Sequence, residues 1–162
     1  MVLLAYRHAL RASEVCGLKL EDMNLKMGTI HVQRLKGSLE SVQPIEKLKG
    51  QPLLDEFKAL KLWLEERNDE SEYLFTSREG GKLDRSQFFR IVRDCARDAG
   101  LPTIGAHTLK HSRVSHLLKG GSTLAEVQRS AGHASLKSTL IYTHASDEDA
   151  ARSARKAEAK LF

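Results

Sequence analysis

The chain has 162 residues, 41% hydrophobic and 29% charged, which suits one domain with a real core and leaves too little for two full ones. That balance excludes disorder across the body of the chain, and no apolar run approaches the ~18 residues of a membrane span. The net charge of +5 is compatible with a polyanionic partner but does not identify one. Cys16 and Cys95 sit among apolar neighbours with no C-x-x-C, so both are expected to be reduced structural thiols. The apolar start lacks a basic region ahead of it and does not read as a signal peptide.

Taken in order, residues 2–9 are apolar and predict a helix, and residues 11–16 predict a second short one with Ser13 as its N-cap. Residues 29–35 alternate and are rich in β-branched side chains, which predicts a strand. Lys36-Gly37-Ser38 supplies a turn, and residues 41–45 an antiparallel partner whose Pro44 belongs at an edge or a strand end. After Pro52, Leu53, Phe57, Leu60 and Leu64 recur at helical spacing, ending near Arg67. Residues 70–82 form a polar connection interrupted by Tyr73-Leu74-Phe75. Asp84 and Gln87 are spaced as a capping box, opening a helix with Phe88, Ile91, Val92 and Cys95 inward and Gly100 and Pro102 at its end. A helix over 108–119 stops at Gly120-Gly121, and Thr123 and Glu126 cap another that stops at Gly132. Residues 147–160, rich in Ala, Glu, Lys and Arg, predict a closing helix. The fold class is mainly α with a small antiparallel β-sheet, read as a single domain over 1–162.

Four clusters carry chemistry: Arg11 at the head of a helix, Lys36 in the turn after the strand, His107-Thr108-Leu109-Lys110-His111, and Gly132-His133 followed by Tyr142. Singly, each has an ordinary structural explanation: solvated cations, a helix stop at Gly132, a packed aromatic at Tyr142. His107 and His111 have zinc-ligand spacing, but no Glu lies between them and no third ligand stands out, so no metal or other cofactor is assigned.

In their order and spacing these residues resemble the catalytic domain of the tyrosine recombinases, the phage-integrase family. Its signature is an Arg in a stretch like Tyr-x-x-Gly-Leu-Arg-x-Ser-Glu, a Lys in a β-turn, a His-x-x-Arg-His block, a Gly-His, and then a Tyr. Here the first part reads Tyr6-Arg7-His8-Ala9-Leu10-Arg11-Ala12-Ser13-Glu14, and the last runs from Gly132-His133 to Tyr142. The hairpin and the stretch over 35–84 are similar to the small recombinases that invert bacterial promoter segments. The chain departs from the pattern at Ala9, where the family has Gly, and at Lys110, where it has its second catalytic Arg. The resemblance also implies further helix before Arg11 and a separate N-terminal DNA-clamping domain, so the start of the catalytic domain is expected to be missing.

The resemblance implies strand cleavage and rejoining on double-stranded DNA without metal or ATP, in a cytoplasmic protein of bacterial, phage or mobile-element origin. Tyr142 attacks a phosphorus, forming a 3′-phosphotyrosyl link and releasing a 5′-hydroxyl. His107 assists the proton transfer, Arg11, Lys110 and His133 hold the phosphorane oxygens, and Lys36 protonates the leaving oxygen. Arg85, Arg90 and Arg93 are candidate phosphate contacts, and the helix over 147–160, with its alanine stripe, a candidate for self-association on DNA. Because lysine lacks the planar fork of arginine, Lys110 leaves open an alternative: a DNA-binding or interaction module on the same fold with impaired catalysis. A nicking enzyme without strand exchange is a third reading.

Overall fold

The computed structural model describes residues 1–34 and 40–132. The expected turn at Lys36, the candidates His133 and Tyr142, and the expected helix over 147–160 lie outside the described residues. Helix α1 (Val2–Arg7) buries Leu4 and Ala5, and two residues past its end Ala9 takes a left-handed φ of 48°. For a residue with a Cβ that conformation costs about 1–2 kcal/mol, which glycine avoids. Helix α2 (Ala12–Gly17) is capped by Arg11 rather than by Ser13. The Glu14 carboxylate, in the first turn, accepts from the Arg11 backbone N–H at 2.8 Å, and that bond starts the helix earlier than the hydroxyl at Ser13 implies.

A 3₁₀ turn (Leu20–Asp22) leads into a three-stranded antiparallel sheet, β1 (Met23–Asn24), β2 (Thr29–Val32) and β3 (Ser41–Pro44), in that order. Two-residue β1 is too short to show a period in the sequence. β2 stops at Val32, short of the expected residue 35, and pairs Thr29 with Pro44 and Val32 with Ser41. Pro44 stands at the end of an edge strand, where its missing N–H costs no ladder bond. Ile30 and Val32 turn into the core.

Helix α3 (Glu56–Glu66) opens at Asp55, whose side chain accepts from the Lys58 N–H at 2.9 Å. It therefore starts after Leu53, which is 89% exposed and not on its buried stripe. Leu74 and Phe75 plug the core from within the polar connection. Helix α4 (Arg85–Asp98) begins with the expected box: Asp84 and Gln87 exchange backbone-to-side-chain bonds of 2.8 Å each. Its inward residues are Phe88, Val92 and Ala96, four apart; Cys95 falls just off that line and is exposed, while Cys16 is buried. Helix α5 (Ala106–Lys119) starts at the Gly105 N-cap, and α6 (Leu124–Ala131) starts at a Thr123–Glu126 box and ends on Gly132 at φ 63°.

The main core joins α1, α2, the sheet, α3 and α4. A smaller cluster of Ala9, Val114, Val127 and Ala131 seats α5 and α6 against the α1–α2 turn. No helix among the described residues is long and apolar enough to cross a membrane.

Candidate active site

A connected set of buried charges, Glu14, Arg34 and Lys110, lies between α2, the segment after β2 and α5. Glu14 is 5% exposed, and its carboxylate is held from several sides. Arg11 Nη1 donates to Oε1 at 2.7 Å, and Arg34 Nη1 donates to Oε2 at 2.8 Å. Burial works to raise the Glu14 pKa, but the Arg11 amide, the Arg34 charge and the Arg11 side chain outweigh it and hold the carboxyl below its ordinary value. The ion pair to Arg11 fixes a guanidinium that is itself 35% exposed at the head of α2.

Lys110 lies on the buried side of α5, only 4% exposed. Its ammonium donates to the Ala9 carbonyl at 2.9 Å and the Ala131 carbonyl at 2.7 Å. Those acceptors close the left-handed α1–α2 turn and the C-terminus of α6, so one amine ties both to α5. Burial, then the charges of Arg34 and Arg11, push its pKa down to about 7, against the opposing pull of Glu14. Arg34 shares the Ala9 carbonyl with it at 3.2 Å. Arg11, Glu14, Arg34 and Lys110 thus form one connected network drawn from α2, the segment after β2, and α5.

Arg11 and Lys110, 99 residues apart in the chain, are therefore linked through Glu14, Arg34 and the Ala9 carbonyl. His107 is exposed in the first turn of α5, with its ring against His111 at 5.2 Å between centroids. Burial, then His107 and Lys110, hold the His111 pKa below its ordinary value. Sequence reasoning missed the two residues that organise the network. Glu14 closes the Ser13-Glu14 pair of the family signature, a position that local pattern gives no role. Arg34 follows Ile30 and Val32 at period two, so the alternation itself aims a cation at the core. Among the described residues no group of three acidic, His or Cys side chains is placed to hold a metal ion.

The comparisons with known proteins converge on one family. Residues 1–149 match the phage integrase family. The chain is 34% identical over 149 residues to the type 1 fimbriae regulatory protein FimE of Escherichia coli K12, covering 88% of the chain and 72% of that protein. It is 39% identical over 146 residues to the tyrosine recombinase XerA of Pyrococcus furiosus, covering 88% of the chain and 48% of the relative. Among solved structures, a XerA recombinase superposes with a TM-score of 0.75 at 27% identity, covering 91% of this chain and 53% of that one. XerH bound to its difH substrate gives 0.69 at 29% identity, covering 93% and 43%. The chain spans about half the length of XerA and of these solved recombinases. With the family match across nearly its whole length, the chain belongs to the phage integrase family, the tyrosine recombinases.

Proposed function

We propose that this chain performs site-specific DNA recombination, cleaving and rejoining strands through a 3′-phosphotyrosine at Tyr142. The observation that carries the reading is the buried network that joins Arg11 to Lys110. It lies within a family match over 1–149 that also takes in Lys36, His107, His133 and Tyr142. A DNA duplex is the proposed substrate; XerH is a relative solved on its difH substrate. A cytoplasmic location accompanies that substrate.

In the proposed reaction the Tyr142 phenol loses its proton to His107, its oxygen bonds to phosphorus, and the bond to the 5′-oxygen breaks. Lys36 returns a proton to that leaving oxygen. A phenol titrates near ~10, so the proton transfer is needed at neutral pH. Arg11 offers a directed pair of donors to the phosphorane oxygens, and His133 a further one. Lys110 is the weak point. Its amine is committed to two carbonyls and is readily deprotonated near pH 7, so less charge reaches the phosphate than an arginine supplies. This favours DNA binding with slow cleavage. The segment over 147–160 is proposed to join neighbouring subunits on DNA, a role that truncation after Ser146 would abolish in an assembly assay.

The experiment is a nicked suicide substrate carrying a cleavage site. A covalent protein–DNA adduct that disappears in Tyr142→Phe supports the recombinase; tight binding with no adduct in the unaltered chain leaves a binding module.

A further inference from the structure

Arg34 is a buried cation with an unusual set of acceptors. Its side chain is 0% exposed. Nη1 donates to the Ala9 carbonyl at 3.2 Å and to Glu14 Oε2 at 2.8 Å; Nη2 donates to the His8 carbonyl at 2.9 Å and the Ser130 carbonyl at 2.8 Å. The guanidinium also runs beneath Gly132, where a Cβ would come within 2.5 Å of Nε and 2.8 Å of Cδ. Gly132 is therefore required twice, for its left-handed φ of 63° and for the room Arg34 occupies.

We infer that Arg34 is a positioning residue for this active site: its one planar guanidinium sets the relative placement of the segments that carry the phosphate-binding groups. The inference rests on the recombinase reading above. Glu14, which Arg34 holds, fixes the Arg11 guanidinium. The Ala9 carbonyl is shared with Lys110. Ser130 is the penultimate residue of α6, whose last residue, Ala131, also accepts from Lys110.

Core stability does not explain such a residue. A buried ion pair often stabilises a fold no better than well-packed apolar side chains of similar volume. What a guanidinium adds is direction: rigid donors in one plane, meeting acceptors from three separate segments. Lysine has one nitrogen and cannot reach all four acceptors at once. Arg34 also places its charge beside Lys110, helping to hold that amine's pKa near 7.

The test compares Arg34→Met, which removes charge and fork, with Arg34→Lys, which keeps the charge for Glu14 and loses the fork. Leu60→Ala, in α3 and remote from the network, serves as a control for lost stability. Single-turnover adduct formation on the suicide substrate is read at a temperature where all forms are folded, alongside DNA affinity. Both Arg34 variants are expected to form adduct about 10- to 100-fold more slowly, by analogy with the loss of outer-shell partners that orient metal ligands, with affinity little changed. Leu60→Ala keeps its rate. Independently, pH-dependent acylation of Lys110 reads its titration: the midpoint should rise in Arg34→Met and stay near that of the unaltered chain in Arg34→Lys. Cleavage in Arg34→Lys as fast as in Leu60→Ala overturns the inference, as does an unmoved Lys110 midpoint in Arg34→Met. If the unaltered chain forms no adduct at all, the recombinase chemistry fails, and the Lys110 midpoint alone decides the role of Arg34.

Discussion

Helices α4 and α5 each run fourteen residues, and each carries cations, yet they use them in opposite ways. On α4 the apolar line Phe88, Val92, Ala96 faces the core, and Arg85, Arg90, Arg93 and Arg97 face out. Arg93 meets Asp94 at 3.0 Å and Arg97 meets Asp98 at 3.1 Å, both in solvent, where water and salt screen the pairs. On α5 the buried residues are Leu109, Lys110 and Val114, so a lysine takes a core position. The contrast teaches where this chain departs from simple packing. Outward cations cost nothing and say little, whereas an inward one must be matched by acceptors from other elements. Breaks in local pattern of this kind concentrate at functional sites.

The largest effect expected from that contrast falls on the acceptor side. Glu14→Ala should destabilise the fold by about 3 kcal/mol, because it strands Arg34 in the interior and releases Arg11. Urea unfolding measures it, and a loss under about 1 kcal/mol, the range of surface pairs, would show the buried network to be no more important than the exposed one.

Next in size is Lys110→Arg, which restores the family pattern at the inward cation. Adduct formation on a nicked substrate should quicken by up to roughly a hundredfold with DNA affinity barely changed, because directed donors act on the transition state more than on binding. A rate that is unchanged or lower would mean that the space between the Ala9 and Ala131 carbonyls is fitted to lysine.

A separate signature, read as a slope and not as a single loss, lies in the pH dependence of stability. The folded chain holds Lys110 near 7, whereas the unfolded chain holds it at the ordinary lysine value of 10.5. Between those values the unfolded state binds the extra proton, so stability from this group is full above the ordinary value and is lost as pH falls toward about 7. Denaturant midpoints followed across that window should rise with pH, and Lys110→Met should flatten the slope. An identical slope in both forms would place the lysine in contact with water.

The smallest effect belongs to α4. Arg93→Ala should shift stability by no more than about 0.5 kcal/mol. If it weakens DNA binding in a salt-dependent way all the same, the outer face of α4 is a phosphate contact and not merely a solvated one.

Local rules account for most of the elements. The capping pairs Asp84–Gln87 and Thr123–Glu126, the stop at Gly132, and the alternation of Ile30 and Val32 all act within a few residues, so they are written in the sequence and recur in the structure. Where local signals competed, the structure chose. The Glu14 carboxylate won the cap of α2 over the Ser13 hydroxyl, and four-residue spacing from Phe88 put Ala96 inside and Cys95 outside.

The residue pattern alone carries most of the described helices and the β2–β3 hairpin, the order of Arg11, Lys36, His107, Lys110, His133 and Tyr142, and through them the family. It also marked Ala9 and Lys110 as departures. That these two departures meet, the Ala9 carbonyl accepting from the Lys110 amine, and that Glu14 and Arg34 organise the same seam, emerges in the folded chain alone. The reason is physical. A cap or a period depends on neighbours along the chain, but the state of a buried charge depends on which distant carbonyls and carboxylates surround it, and these come together only when α1, α5 and α6 pack.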